Sequence, residues 1–294
     1  MGQHNDVTGQ HTDVRRQHTG NPVHATLCVV AWMIQVSDPA DPRLADFRDL
    51  TRADRRPDRP GGKGLVIAEG VVVVRRLLTS AYPVRAVLGV ERRLEELAED
   101  LAGIAVPAYA TSADVMARVV GFHLNRGVLA VADRAARLPV EELVARARLL
   151  AVLEGVGDHE NLGALFRNAA AFGVDGVLLG PGCADPLYRR SVRVSMGHVL
   201  AVPFGPVEPW PAGLKWLRDQ GFRVLALSPS GTLPLGAVDP GERVAVLLGS
   251  EGHGLTAEAM DAADAAVRIP MADGVDSLNV ATAGAVAFQV LGSR

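Results

Sequence analysis

The chain has 294 residues, of which 48% are hydrophobic and 21% charged, with a formal net charge of −3. That length supports one large or two medium domains with true cores, and the charge excludes a globally basic field, so any contact with nucleic acid must be local. The two cysteines, Cys28 and Cys183, provide neither a disulfide framework nor a metal-ligand spacing and are expected to be buried or incidental thiols.

No apolar run approaches the roughly 20 residues of a membrane span. The run Thr26–Val36 is too short for that, and it lies too far from the start, without a convincing cleavage site, to be a signal peptide. A cytoplasmic protein is expected. Residues 1–33 stand apart: GQHNDVT, GQHTDVR and RQHTGNP repeat a seven-residue unit that spaces His4, His11 and His18 equally. A His-rich metal tract is one reading. The polar repeat has no positions for a core, so a disordered or non-native extension is expected, with translation starting at Met33. Intact-mass measurement of protein made from its own promoter checks this; a mass that includes residues 1–32 overturns it.

Residues 34–132 read as a small α/β domain. Its polar entry segment carries Arg52, Arg55 and Arg56 among interleaved aspartates, which suits a solvated face as well as an RNA contact. Apolar runs at Leu65–Ala68, Val84–Gly89, Ile104–Ala108 and Gly127–Val131 predict strands. Stretches at Val71–Leu78, Glu91–Leu101 and Ser112–Val119 predict the alternating helices. Residues 133–148, charged and without Gly, read as a linker with a helical turn.

Residues 149–294 form a second α/β domain with a mostly parallel sheet covered on both faces. Strands are expected at Leu149–Leu153, Gly176–Leu179, Val199–Pro203, Arg223–Ser228, Arg243–Gly249 and Ala266–Ile269. Helices are expected at Leu162–Phe172, capped by Asn161, and at Pro211–Gln220, Thr256–Ala262 and Asn279–Leu291.

Three stretches at strand ends bear chemistry. In Asn161-Leu-Gly163-Ala-Leu-Phe-Arg167, Gly163 and Arg167 share a helix face, so the arginine projects past a position with no side chain. It could reach a phosphate or carboxylate, or simply form a surface ion pair. In Leu247-Leu-Gly249-Ser250-Glu251-Gly252-His253-Gly254-Leu255, glycines permit tight turns and close ligand approach at the carboxyl end of a strand. This is neither G-x-G-x-x-G nor a P-loop. His253 could be a base, although a histidine among loop glycines is more often incidental. In AVRIPMADGVDSLNVATAGAVAFQVL, a short strand meets Pro270, and Ser277 and Asn279 stand at the cap of a helix.

Taken in order, these three stretches closely resemble the SpoU (TrmH-type) class of SPOUT RNA ribose methyltransferases, over about Leu150–Leu291. Arg193-Val-Ser195-Met-Gly197 belongs to the same pattern, though His198 follows where the class usually has a small residue, either packing or contacting RNA. AEGVVVVRRLL in the first domain resembles, more weakly, the ribosomal-protein-like substrate-binding domain often fused to this class. The resemblance implies a SPOUT domain with a parallel sheet and a deep trefoil knot, a feature that pattern reading would never propose. It implies S-adenosylmethionine as cofactor, held by Gly249, Ile269, Leu278, Leu227 and Met271, and a homodimer packed through the knotted domains.

The implied reaction is methyl transfer to a ribose 2′-hydroxyl in structured RNA, ribosomal more than transfer RNA, with a resistance-conferring rRNA methyltransferase also open. Arg167 is the class's usual base, yet a guanidinium stays protonated, so it is assigned to orienting the acceptor ribose and its phosphate. Glu251 is expected to orient Arg167 or Asn161, Ser277 and Asn279 to fix the acceptor and the third motif, and Asn161 the first. Arg189, Arg190 and Arg193, with no acidic residue from Pro186 to Pro206, form the expected RNA patch of the second domain. Metal is not required. A non-catalytic RNA-binding module is the rival of another class, and a nucleotide-dependent oxidoreductase lacks its glycine fingerprint.

Overall fold

Short runs of Val, Leu and Ala build two sheets in a computed structural model that describes residues 33–50 and 64–292. The His repeat, Cys28, and the arginines Arg52, Arg55 and Arg56 lie outside the described residues. The first sheet contains β1 (Met33–Gln35), β2 (Val66–Glu69), β3 (Val84–Gly89), β4 (Ala108–Ala110) and β5 (Val128–Ala132), in the order β1-β4-β3-β5-β2. β1, β4 and β3 run parallel, while β5 is antiparallel to both β3 and β2. Helix α1 (Val71–Leu78) follows β2 and buries Val73, Val74 and Leu77.

Glu91–Leu101, expected as one helix, is two: α2 (Glu91–Glu95) and α3 (Ala98–Leu101). The chain turns at Leu97 (φ −107°, ψ 5°), so that both Leu94 and Leu97 reach the core. The strand expected at Ile104–Ala108 lies further on, at β4, because Pro107 has no N–H for the ladder. Helix α4 (Ala113–Val120) is capped by Ser112, whose side chain accepts from Val115 N at 3.2 Å.

Residues 133–148 carry helix α5 (Val140–Arg146). Beyond it lies a seven-stranded sheet: β6 (Leu149–Leu153), β7 (Gly176–Leu179), β8 (Phe204–Pro206), β9 (Arg223–Leu227), β10 (Leu233–Pro234), β11 (Val244–Leu248) and β12 (Ala265–Arg268). Its order is β10-β12-β9-β11-β6-β7-β8, with every neighbouring pair parallel. The strand expected at Val199–Pro203 starts only at Phe204, because a 3-10 turn at His198–Leu200 precedes it.

Helices α6 (His159–Ala171), α7 (Arg189–Val194), α8 (Ala212–Asp219), α9 (Ala257–Ala262) and α10 (Val280–Gly292) complete this half. α6 and α10 pack together on one face of the sheet. Gly284 permits this approach, since a Cβ there would lie 2.5 Å from Leu165 Cδ2. The opposite face carries Leu143, Leu214, Leu217 and Phe222. Strands buried on both faces explain the near-continuous apolar runs in the sequence.

The two sheets share one core: a single buried cluster contains Val73, Val74 and Leu77 of α1 together with Leu162, Phe166, Val192 and Val199. Ionic contacts reinforce the seam. Arg134 pairs with buried Asp185, and Arg189 meets Glu69 at 3.4 Å while its guanidinium lies 4.6 Å over the Phe122 ring.

Candidate active site

In an open parallel sheet the ligand cleft lies outside the carboxyl ends of the strands, where the strand order reverses. Here the reversal lies between β6 and β11. The carboxyl ends of β9, β11 and β12 open into a cavity of about 650 Å³, within the range of small-ligand sites. Leu227, Gly249, Ile269, Met271 and Leu278, the five residues expected at a cofactor, all line it, with Glu251, Ser277 and Asn279.

The wall made by the third motif is a helix cap. Pro270 follows β12 and stops the strand, and Asn279 begins α10, its Oδ1 accepting from Ala281 N at 2.9 Å and Thr282 N at 3.2 Å. The amide's other end is free to act elsewhere. Asn279 Nδ2 donates to Asn161 Oδ1 at 2.8 Å and to Glu251 Oε1 at 2.6 Å, joining all three motifs in one polar cluster. Glu251 therefore reaches Asn161 through Asn279.

Two local expectations are corrected. Asn161 does not cap its helix: α6 starts two residues earlier, with Asp158 accepting from Glu160 N at 2.9 Å. Asn161 sits inside the helix as a buried amide facing Asn279. Gly163 serves contact between helices, because a Cβ there would come within 2.8 Å of Ser191 O and 2.9 Å of Val194 Cβ on α7. Clearance for Arg167 is not what requires glycine there.

The glycine loop is narrow. Ser250 and Gly254 exchange backbone hydrogen bonds of 3.2 and 3.1 Å, folding Glu251-Gly252-His253 into a tip. A Cβ on Gly249 would stand 2.3 Å from Gly254 C and 2.5 Å from Leu255 N. The base of this loop is tied down by Glu154, a buried carboxylate at the end of β6 that is 5% exposed. Glu154 accepts from Trp210 Nε1 (2.8 Å), Thr256 N (2.9 Å) and Thr256 Oγ1 (2.8 Å). The sequence reading missed Glu154; only its place immediately after an apolar strand hinted at it.

A glutamine at 154 would turn an N–H₂ toward either Trp210 Nε1–H or Thr256 N–H, setting donor against donor. Glu154→Gln is expected to cost about 1–3 kcal/mol, read as a lowered midpoint of chemical denaturation. A wild-type midpoint would show that the tie is not energetically significant.

Arg167 is not in the cavity. It lies six residues beyond Asn161, about 9 Å along the helix and about 240° around it, exposed and without a carboxylate partner among the described residues. The expected arginine patch is distributed rather than open. Arg190 pairs with Glu160 at 2.7 Å, and Arg189 and Arg193 approach Glu69 at 3.4 and 3.9 Å. The acidic partners come from elsewhere in the chain, so the acid-free stretch around these arginines could not reveal them. Cys183 is half-buried, its thiol donating to Leu153 O at 3.3 Å, and burial pushes its pKa up.

Residues 148–289 match the SpoU rRNA Methylase family. An uncharacterized tRNA/rRNA methyltransferase of Mycobacterium tuberculosis is 60% identical over 258 residues, spanning 86% of this chain and 89% of the relative. The chain belongs to the SpoU family. It is an RNA methyltransferase of that family, and RNA is its substrate class. Among solved structures, the AdoMet-bound rRNA methyltransferase from Sinorhizobium meliloti superposes with a TM-score of 0.73 at 24% identity, covering 88% of this chain and 97% of that one. A structure described as an RNA 2′-O ribose methyltransferase superposes with a TM-score of 0.70 at 24% identity, covering 88% and 98%. These likenesses show a shared α/β fold across both halves of the chain. No helix among the described residues is long and apolar enough to cross a membrane.

Proposed function

We propose that this SpoU-family enzyme moves a methyl group from S-adenosylmethionine to a ribose 2′-hydroxyl in structured RNA, ribosomal RNA in the first instance. The observation that carries the reading is the chemistry of the cavity lining. It combines apolar Leu227, Ile269, Met271 and Leu278 with serines, backbone, His253 and one carboxylate, Glu251, and among the described residues it includes no Lys or Arg. A phosphate-bearing nucleotide would find no permanently charged cationic partner among these lining residues. A nucleoside with a positively charged sulfonium and no phosphate suits it.

Gly249, Ile269 and Leu278 would hold that ligand by backbone groups, with Leu227 and Met271 against its flat apolar faces. When bound, S-adenosylmethionine supplies a methyl group already activated as an electrophile. The protein's own tasks are to align the acceptor hydroxyl and help remove its proton. Asn279, fixed between Asn161 and Glu251, sets the floor on which the acceptor would sit, and Ser277 offers it a hydroxyl. Arg167 would orient the acceptor ribose and its phosphate, its constant charge leaving the base to another group.

Because Arg167 lies off the cavity of its own chain, the reading pairs it with the cavity of a second copy. A homodimer through the second half is proposed on that ground and on the exposed Val275 (49%), in the segment that leads to the cavity residues Ser277 and Leu278. The trefoil knot is proposed on the chain path, in which β12 lies between β9 and β10. The loop after β9 also crosses it so closely that a Cβ on Gly231 would stand 2.4 Å from Val267 C. Residues 34–132 are proposed as the substrate-binding unit, joined to residues 149–294 through 133–148.

Equilibrium titration with S-adenosylmethionine, together with mapping of 2′-O-methyl sites in total RNA with and without the gene, tests the reading. Saturable binding and one lost methyl site are expected. Absence of binding up to about millimolar ligand, the weak end of specific affinity, overturns it in favour of a non-catalytic RNA-binding module. A lost site in transfer RNA would redirect the substrate.

A further inference from the structure

The seam between the two halves brings together three cationic or ionisable side chains from three segments. Arg76, on α1 of the first half, donates through Nη1 to the carbonyl of Met196. Met196 and Gly197 both adopt left-handed backbone (φ 54° and 84°), a conformation that costs a non-glycine residue about 1 kcal/mol or more. Gly197 is closed over by α1, since a Cβ there would meet Val73 Cγ1 at 3.3 Å and Arg76 Cβ at 3.4 Å. This strained turn presents His198 at the start of the 3-10 turn that packs on α1, α6 and α7. Arg167 stands on α6.

The charged side chains of these elements that act on His198 are Arg76 and Arg167, both basic. Arg76 comes from α1, whose neighbouring Arg75 is tied to Asp100 at 2.8 Å. Arg167 comes from α6. Arg193 of α7 is drawn toward Glu69 at 3.9 Å. Burial first, and then the charges of Arg76 and Arg167, lower the imidazole pKa below its ordinary range. Of the seam carboxylates, Glu69 is already shared by two arginines and Asp185 is paired with Arg134. Among the described residues neither Arg76 nor Arg167 has a carboxylate partner.

We infer that Arg76, Arg167 and His198 form a binding site for a phosphodiester group of the RNA substrate, built from both halves of the chain. The site rests on the reading of Arg167 as the residue that orients the acceptor nucleotide, and it extends that role to a residue of the first half. A phosphate held there would favour the imidazolium, so binding would take up a proton at His198. RNA affinity should then rise as pH falls through the histidine range, because the bound complex holds the proton more tightly than the free protein.

The test uses the full chain and two probes: inorganic sulfate, whose charge does not change between pH 5 and 8, and a short oligoribonucleotide. With sulfate, the His198 ring resonance should titrate at higher pH than in its absence. With the oligoribonucleotide, affinity should gain up to about tenfold between pH 7.5 and 5.5, the limit set by one pKa unit of coupling. His198→Gln should abolish that gain and leave S-adenosylmethionine affinity unchanged, which also shows that the variant folds. Arg76→Lys, which preserves the charge, should preserve the pH dependence. An unshifted His198 titration, or a His198→Gln protein with the wild-type pH dependence, overturns the site. Failure to bind S-adenosylmethionine would instead strike the methyl-transfer reading, and the RNA and sulfate titrations are independent of it.

Discussion

Replacing Arg167 by alanine is expected to lower methyl transfer by at least about 10²-fold while changing S-adenosylmethionine affinity by no more than about twofold. Both halves of this result follow from position. Arg167 does not line the cavity, so it contributes nothing to holding a ligand there. It is exposed and, among the described residues, without a carboxylate partner, so its loss leaves no buried charge behind and the fold should hold. What disappears is the group that fixes the acceptor. Arg167→Lys should restore part of the RNA affinity but little of the rate, because an ammonium lacks the planar fork that sets orientation. A full-rate Arg167→Ala enzyme would remove the residue from the mechanism. If the pairing with a second copy's cavity is right, mixing inactive Arg167→Ala subunits with inactive Asn279→Ala subunits should restore activity in the heterodimer, and no complementation would argue for sites complete within one chain.

Gly249→Ala is expected to weaken S-adenosylmethionine binding by on the order of 10- to 100-fold, corresponding to an overpacking cost of about 1–3 kcal/mol. The added methyl would collide with main-chain atoms of Gly254 and Leu255, not with a side chain that can swing aside. Relief requires opening the Ser250–Gly254 pair, which carries the tip of the loop, including Glu251, away from Asn279. Thr256, two residues beyond Gly254, is held by Glu154, so the loop has little freedom to shift as a whole. Titration calorimetry checks this. Unchanged affinity would mean that the loop is not a wall of the cofactor site.

These two residues divide what could be read locally from what could not. The glycine loop, the strand that precedes it, and the cap at Asn279 were legible because each is a short-range device. An apolar β run sets the strand, glycine sets the turn, and a short polar side chain satisfies the first N–H groups of a helix. The five cavity-lining residues named from the motif resemblance converge because the strand ends of one parallel sheet open on one side.

Where a residue's partner is far away in sequence, the local reading went astray. Asn161 looked like a cap, yet it is a buried amide waiting for Asn279, 118 positions further on. Arg189, Arg190 and Arg193 looked unopposed, yet folding delivers Glu69 and Glu160 to them. Glu154 attracted no attention, although it anchors the loop beside the cavity through three hydrogen bonds.

The sequence by itself determined most of the strand and helix segments and the parallel second half, because periodicity, turns and caps act over a few residues, while the residues of the cavity wall came from the motif resemblance. Only the tertiary structure decided that Arg167 lies outside the cavity of its own chain, that Asn161, Glu251 and Asn279 make one cluster, and that Arg76 packs on the turn leading into His198. Those outcomes depend on charges and amides separated by tens to hundreds of residues, and a pairing of that kind has no local signature.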